Sequence, residues 1–145
     1  MAKEVFTQAE QDAVRSAIQE AEKSTSGEIK VHIENHCKED ALDRAAFVFE
    51  ELKMQETELR NGVLFYLAIK DKQFAILGDV GINLKVPKGF WDGISEMMLN
   101  YFKQGQFALG LSEGVKQAGK ALSEHFPYQK NDENELSDDI SFGKN

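Results

Sequence analysis

The sequence predicts a single α/β domain, a three-layer α/β/α sandwich built around a small mixed sheet. Residues 28–34 alternate apolar and polar side chains, which is typical of a strand with one polar face. Residues 63–69 are apolar throughout, as in a strand covered on both faces, and a short polar connection leads to a third apolar run at 73–77. Segments with helical spacing precede, separate and follow these strands, so helices can cover both faces of the sheet.

The first half of the chain has the pattern helix, strand, helix. Thr7 and Glu10 have the spacing of a capping box, and apolar residues then recur at helical spacing up to a Ser-Thr-Ser-Gly run at 24–27. Asp40 is a candidate N-cap for a second helix that ends near Met54. A right-handed crossover through this helix would make the first two strands parallel.

The second half predicts two antiparallel strands followed by two helices. Residues 82–86 alternate, and the sequence leaves open whether they form a short strand or a loop. Pro87 can occupy a first helical turn, and aromatic residues and methionines recur at helical spacing over 90–102. A glycine-interrupted apolar pattern over 111–122 predicts the last helix.

The domain is expected to span residues 1–127. The remaining residues, 128–145, form an acidic C-terminal tail, in which positions 129–145 hold five acidic and two basic residues and few large apolar groups. Such a composition buries too little apolar surface to offset the entropy of ordering, so we expect the tail to be disordered.

Composition limits the classes of partner. The chain has 17 Lys and Arg against 25 Asp and Glu, a net charge of -8, which repels nucleic acid and anionic membrane surfaces. Its single cysteine, Cys37, cannot form an internal disulfide. The longest apolar run is far shorter than the roughly 20 residues of a membrane-spanning helix. We therefore expect a soluble, cytoplasmic protein without nucleic-acid partners or membrane insertion.

The predicted topology brings three strand ends to one edge of the sheet. The start of the first strand carries Glu28, the start of the second follows Arg60 and Asn61, and the end of the third precedes Asp79. Carboxylate oxygens such as those of Asp79 and Glu28 suit calcium or magnesium better than zinc. The alternative interpretation is that Asp79 bonds its own turn and that Glu28 is a solvated strand-end charge.

Other chemical motifs carry less weight. His32, His36 and Cys37 are close in sequence, but the first lies in a strand and the other two lie past its end, so they need not converge on a metal. The sequence has no lysine-containing phosphate loop. We assign no catalytic residue.

Several segments, taken in order, resemble the TPM domain family over residues 6–127. The segments that carry the resemblance are Ser26-Gly27-Glu28-Ile29, Arg60-Asn61-Gly62-Val63-Leu64, Gly78-Asp79-Val80-Gly81-Ile82, and Tyr101-Phe102-Lys103-Gln104-Gly105 with Gly110-Leu111. The resemblance implies an α/β/α sandwich in a family whose members are linked to acid phosphatase activity, calcium binding and the upkeep of photosynthetic or membrane complexes.

The resemblance also selects site residues. Many relatives carry an acidic residue before the Asn-Gly-Val-Leu motif, where this chain has Arg60. The candidate ligand-binding residues are Glu28, Arg60, Asn61, Gly62, Gly78, Asp79 and Gly81. Asp79 and Glu28 are the candidate metal ligands, for calcium or magnesium.

Two function classes follow. The first is a non-catalytic binding or accessory module, in which the loops at this edge recognise a partner protein or a small anionic ligand. The second is a metal-assisted, acid phosphatase-like phosphomonoester hydrolase, in which Asp79 and Glu28 would hold the ion. We favour the binding module, because the negative surface opposes anionic substrates and no histidine or cysteine nucleophile is placed at the edge.

Overall fold

The computed structural model describes residues 6–128 and 138–143. Its strands are β1 (Glu28–Glu34), β2 (Gly62–Ala68), β3 (Gln73–Gly78) and β4 (Ser141–Phe142). Its α-helices are α1 (Gln8–Glu22), α2 (Ala41–Glu51), α3 (Val80–Asn83), α4 (Phe90–Lys103) and α5 (Phe107–His125). A short 3-10 helix, Met54–Glu56, follows α2.

The four strands form one mixed sheet in the order β3-β2-β1-β4. β1 runs parallel to β2 and to β4, whereas β2 and β3 are antiparallel. The parallel β1–β2 pair confirms the crossover through α2, and the antiparallel β2–β3 pair confirms the predicted hairpin.

Helices cover both faces of the sheet, which confirms the predicted α/β class and is consistent with a sandwich. On one face, alternate residues of β1 and β2, among them Val31 and Phe65, pack with α1, α4 and α5 in the main apolar core. On the other face, Leu64 and Tyr66 pack with α2 and Met54 in a second, smaller core. β2 contributes to both cores, which explains why its sequence is apolar throughout.

Side-chain caps define the starts of the first two helices. Thr7 and Glu10 form the predicted capping box, with the Thr7 hydroxyl accepting from the Glu10 N–H at 3.0 Å and the Glu10 carboxylate accepting from the Thr7 N–H at 3.0 Å. Asp40 caps α2 by accepting from two N–H groups of its first turn. α2 ends at Glu51, earlier than the predicted Met54, because the second residue after Glu51 adopts a left-handed backbone.

Residues 82–86 do not form the strand that their alternation left open. The four-residue helix α3 occupies positions 80–83 and begins at its N-cap Asp79, whose carboxylate accepts from the Val80 N–H at 2.7 Å. Pro87 lies before the first turn of α4, because the N-cap of that helix is Gly89.

The prediction of a wholly disordered tail is wrong at β4. Ser141 and Phe142 pair with His32 and Ile33 of β1. The polar composition of the tail did not indicate this strand, because only Ile140 and Phe142, which alternate with polar neighbours, pack against the main core. The expected disorder of 129–137 and 144–145 concerns positions that lie outside the described residues. Within the described ranges, no helix is both long and apolar enough to cross a membrane.

Candidate functional site

Three strand ends meet at one edge of the sheet, as the hairpin and the crossover require. Glu28 lies opposite Gly62 in the β1–β2 register. The Asp79 N–H donates to the Gly62 carbonyl oxygen at 2.9 Å, which continues the β2–β3 ladder past its last pair. We call this edge the rim; its residues are Gly27, Glu28, Arg60, Asn61, Gly62, Gly78, Asp79 and Gly81.

Two glycines of the rim are required by close packing. A Cβ at Gly81 would collide with the carbonyl oxygens of Leu59 and Arg60, and the Gly81 N–H donates to that Arg60 oxygen at 2.8 Å. A Cβ at Gly78 would lie 2.8 Å from both the Asn83 Oδ1 and a Trp91 ring carbon. The loop before β2 and the turn after β3 can therefore touch because Gly81 carries no side chain, and the absence of a side chain at Gly78 leaves room for Asn83 and Trp91.

Arg60 and Asp79 form a bidentate ion pair across the rim. Arg60 Nε donates to Asp79 Oδ2 at 2.7 Å, and Arg60 Nη2 donates to Asp79 Oδ1 at 2.8 Å. The Asp79 side chain is 6% exposed, whereas that of Arg60 is 47% exposed. Arg60 adopts a left-handed backbone, with φ of 51°, and the hydrogen bonds that it donates to Asp79 raise the pKa of its guanidinium. Non-glycine residues in this region carry strain, which the ion pair helps to offset.

The ion pair bears on the predicted metal site. Both oxygens of Asp79 already accept from Arg60, and the positive guanidinium opposes a divalent cation at the same place. The donor set therefore does not fit calcium or magnesium as it stands. Within residues 6–128 and 138–143, no group of three or more His, Cys, Asp or Glu side chains is arranged to hold a metal ion.

Unpartnered polar atoms are concentrated beside the ion pair. Asn61 is 1% exposed, and neither its Nδ2 nor its Oδ1 hydrogen-bonds to a described residue. The Thr57 hydroxyl and the Gln55 Oε1, both in the segment leading to the rim, also lack a described partner. Buried polar groups are nearly always hydrogen-bonded, so such a cluster is typical of a place that receives a ligand or internal water.

A surface groove of about 310 Å³ opens at the Arg60–Asp79 pair; Gln55 lines it, whereas Asn61 and Thr57 lie behind its wall. Arg60, Asp79, Glu50 and Gln55 form its polar side, so one guanidinium faces two carboxylates, and Phe49 and Leu77 form part of its apolar side. The groove gives a ligand access to the guanidinium of Arg60, whose side chain is 47% exposed.

A second polar cluster surrounds Glu34, the last residue of β1, and was not predicted from the sequence. Glu34 is fully buried and accepts from Arg44 Nη2 at 2.6 Å and from the Tyr66 hydroxyl at 2.6 Å, and its Oε1 lies 3.0 Å from His32 Nε2. Burial raises the pKa of Glu34, but hydrogen bonds from Arg44, Tyr66 and His32 hold it at about 2. Burial lowers the pKa of His32, which favours the neutral ring.

His32, His36 and Cys37, which are close in sequence, do not converge on a common site. His32 contacts Glu34 and Ser141, whereas His36 Nδ1 lies 3.0 Å from Asp71 Oδ1 at the opposite end of β1 from the rim. The Cys37 N–H donates to Asp71 Oδ2 at 2.7 Å. Asp71 therefore organises this loop.

Comparisons with known proteins identify relatives of the whole fold. The model of the TPM domain family matches residues 2–121. The BA42 protein of the psychrophilic bacterium Bizionia argentinensis is 48% identical, with a TM-score of 0.89 and 95% of each chain covered. No curated protein matches the sequence.

Two more distant structures share the fold alone. The N-terminal domain of a P. gingivalis protein is 20% identical, with a TM-score of 0.67 over 86% of this chain and 83% of that one. The N-terminal domain of the cg2496 protein of Corynebacterium glutamicum is 13% identical, with a TM-score of 0.64 over 81% and 74%. The match of the family model over most of the sequence shows that this chain belongs to the TPM domain family.

Proposed function

We propose that this chain is a non-catalytic binding module whose rim recognises an anionic group, carried by a partner protein or by a small ligand. The observation that carries the proposal is the Asn61 carboxamide, which is buried beside the Arg60–Asp79 pair without a described partner for either polar atom. An unsatisfied buried polar group costs about 1–3 kcal/mol, so retaining one at the rim suggests a function other than stability.

Arg60 supplies the positive half of the site. A guanidinium has five N–H donors, and two of those of Arg60 serve Asp79. Since the side chain is 47% exposed, donors remain for an incoming carboxylate or phosphate. Asp79 fixes the guanidinium in place and neutralises part of its charge, so we expect modest affinity.

The groove lining favours binding over turnover. Its residues include no serine, cysteine or histidine that could act as a nucleophile. The Asp79 carboxylate, which would have to hold the ion of a metal-assisted hydrolase, is occupied by Arg60.

Titration of the full chain with inorganic phosphate, followed by amide NMR shifts, tests the proposal. We expect saturable shifts at residues 57–62 and 78–81 and their loss in Arg60→Met. Arg15→Met removes the same charge from α1 and is the matched control, which should leave the shifts unchanged. Equal shifts in Arg60→Met and in the unmodified chain would show that phosphate does not bind through this guanidinium and would overturn the proposal.

A further inference from the structure

We propose that the outer edge of β1, together with the adjoining surface of α1, is a binding site for an extended acidic peptide of a partner protein. The chain's own residues 138–143, which we call the C-terminal segment, occupy this site as an intramolecular competitor. The site lies along the side of β1 that faces away from β2, so it is separate from the proposed ligand site at the rim.

Backbone pairing defines the mode of recognition. Ser141 and Phe142 pair in parallel with His32 and Ile33, and the Gly143 N–H donates to the Ile33 carbonyl oxygen at 2.8 Å. A strand edge offers its N–H and C=O groups to any extended chain, and peptides often bind proteins by adding a strand in this way. The resident strand has two residues, so the described ladder on this side of β1 is short.

Side chains give the site its chemical preference. Lys30 Nζ donates to the Asp139 carbonyl oxygen at 2.7 Å, and Arg15 Nη1 donates to the Asp139 carboxylate at 3.3 Å. Ser141 Oγ lies 2.8 Å from His32 Nδ1. These contacts place Lys30 and Arg15 along the path of the peptide, which favours an acidic residue at the position of Asp139, while Arg15 also pairs with Asp12 at 2.7 Å.

Apolar residues of the segment alternate with the polar ones. Ile140 and Phe142 pack against the main core, on the opposite face of the strand from Ser141. A groove of about 330 Å³ beside Phe142 is lined by Gln8, Gln11 and Arg15. The site therefore selects alternating apolar and polar side chains, preceded by acidic residues.

Gly143 adds a size limit at the end of the segment. A Cβ at this position would collide with Cγ and Oε1 of Glu34. Glu34 cannot yield easily, because Arg44 and Tyr66 hold its carboxylate. The site thus requires a glycine directly after the residue that occupies the position of Phe142.

Exchange is possible because the resident strand is short and its side chains are only partly buried. Short edge elements of this kind open locally far more readily than a core strand. The segment is covalently joined to the domain, so it competes with an incoming peptide as an intramolecular ligand. An incoming peptide must therefore outcompete the segment, and weakening the segment must strengthen peptide binding.

Fluorescence anisotropy with a labelled synthetic peptide of residues 135–145 tests this competition. The proteins are the full unmodified chain, full-chain Gly143→Ala, and full-chain Gly93→Ala. The last variant is the matched control, because a Cβ at Gly93 meets nothing within 4 Å. Gly143→Ala should bind the peptide about tenfold tighter or more than the other two proteins. A peptide that itself carries Gly143→Ala should not bind.

The outcomes decide the proposal. Equal peptide affinity in the three proteins would overturn it. A dimer that forms with rising concentration of the unmodified chain, and that is lost in Gly143→Ala, would assign the site to a second copy and overturn a partner peptide. If Gly143→Ala does not fold, millimolar unlabelled peptide added to the ¹⁵N-labelled unmodified chain should shift the Gly143 and Ile33 amides, and unchanged amides would refute the proposal.

Discussion

Replacing Asn61 with leucine should stabilise the fold while weakening binding at the rim. The Asn61 side chain is 1% exposed, and neither of its polar atoms has a described hydrogen-bond partner. Removing an unsatisfied buried polar group recovers its desolvation cost, about 1–3 kcal/mol. For a chain of this size, that corresponds to a melting temperature higher by roughly 2–10 °C. Asn61→Ala, which cannot overpack the site, should be close to neutral.

Denaturant unfolding followed by circular dichroism measures the effect, with Asn83→Leu as the matched control. Asn83 donates to the Gly78 carbonyl oxygen at 2.7 Å and accepts from Trp91 Nε1 at 2.8 Å, so its amide is satisfied. The control should therefore lose about 1–2 kcal/mol, because both hydrogen bonds break. If Asn61→Leu also loses stability by this amount, the amide has a partner, such as an internal water, and the reasoning is refuted.

Four further changes test other parts of the structure. Gly81→Ala should cost about 1–3 kcal/mol in denaturant unfolding because its Cβ meets two backbone oxygens, whereas Gly93→Ala should cost nothing. Arg44→Met leaves a buried carboxylate without its cation and should cost about 3 kcal/mol in the same assay; a neutral result would contradict the network. Burial, and then a hydrogen bond with Asp138, raise the pKa of Glu22 from 4.5 to about 10. The folded state therefore keeps a proton on Glu22 at pH values where the unfolded chain has released it. The free energy of unfolding should thus fall between about pH 5 and 9, by at most ~1.4 kcal/mol per pH unit, and Glu22→Gln should remove this slope from the pH series of melts. Calcium should bind the rim weakly or not at all in amide NMR titrations, and Arg60→Asp should strengthen it; no gain would mean that the rim is not a cation site.

Periodicity and topology were sufficient to predict the central part of the fold. The alternation of residues 28–34 and the apolar run before the hairpin fixed three strands and their directions, because each pattern is compatible with few arrangements. The convergence of Glu28, Asn61 and Asp79 at one edge followed from those directions. Whether these residues bind a ligand stays a prediction.

The contacts that decide the chemistry of the rim could not be predicted. The sequence shows Arg60 where many relatives carry an acidic residue, but the pairing of Arg60 with Asp79 depends on a left-handed backbone at Arg60, which no local pattern indicates. The Glu34 network depends on a helix residue, Arg44, meeting a strand residue across the fold. The sequence signal that could have indicated this network is Glu34 itself, a charged residue on the face of β1 that α2 covers.

The strand β4 was missed for a different reason. The average composition of the tail is polar, whereas the feature that indicates a strand is the alternation of Ile140, Ser141 and Phe142. Two paired residues are too few for a periodicity argument, and their docking depends on long-range contacts such as that between Lys30 and Asp139.

A turnover assay tests the central claim, that the rim binds without catalysis, most directly. The full chain is incubated with a generic phosphomonoester from acidic to neutral pH, with and without calcium or magnesium, and compared with Asp79→Asn, which keeps the shape of the side chain and removes its charge. The account predicts the same rate as the buffer blank under every condition. Metal-dependent hydrolysis that is lost in Asp79→Asn would contradict it and would show that the rim is a hydrolase site.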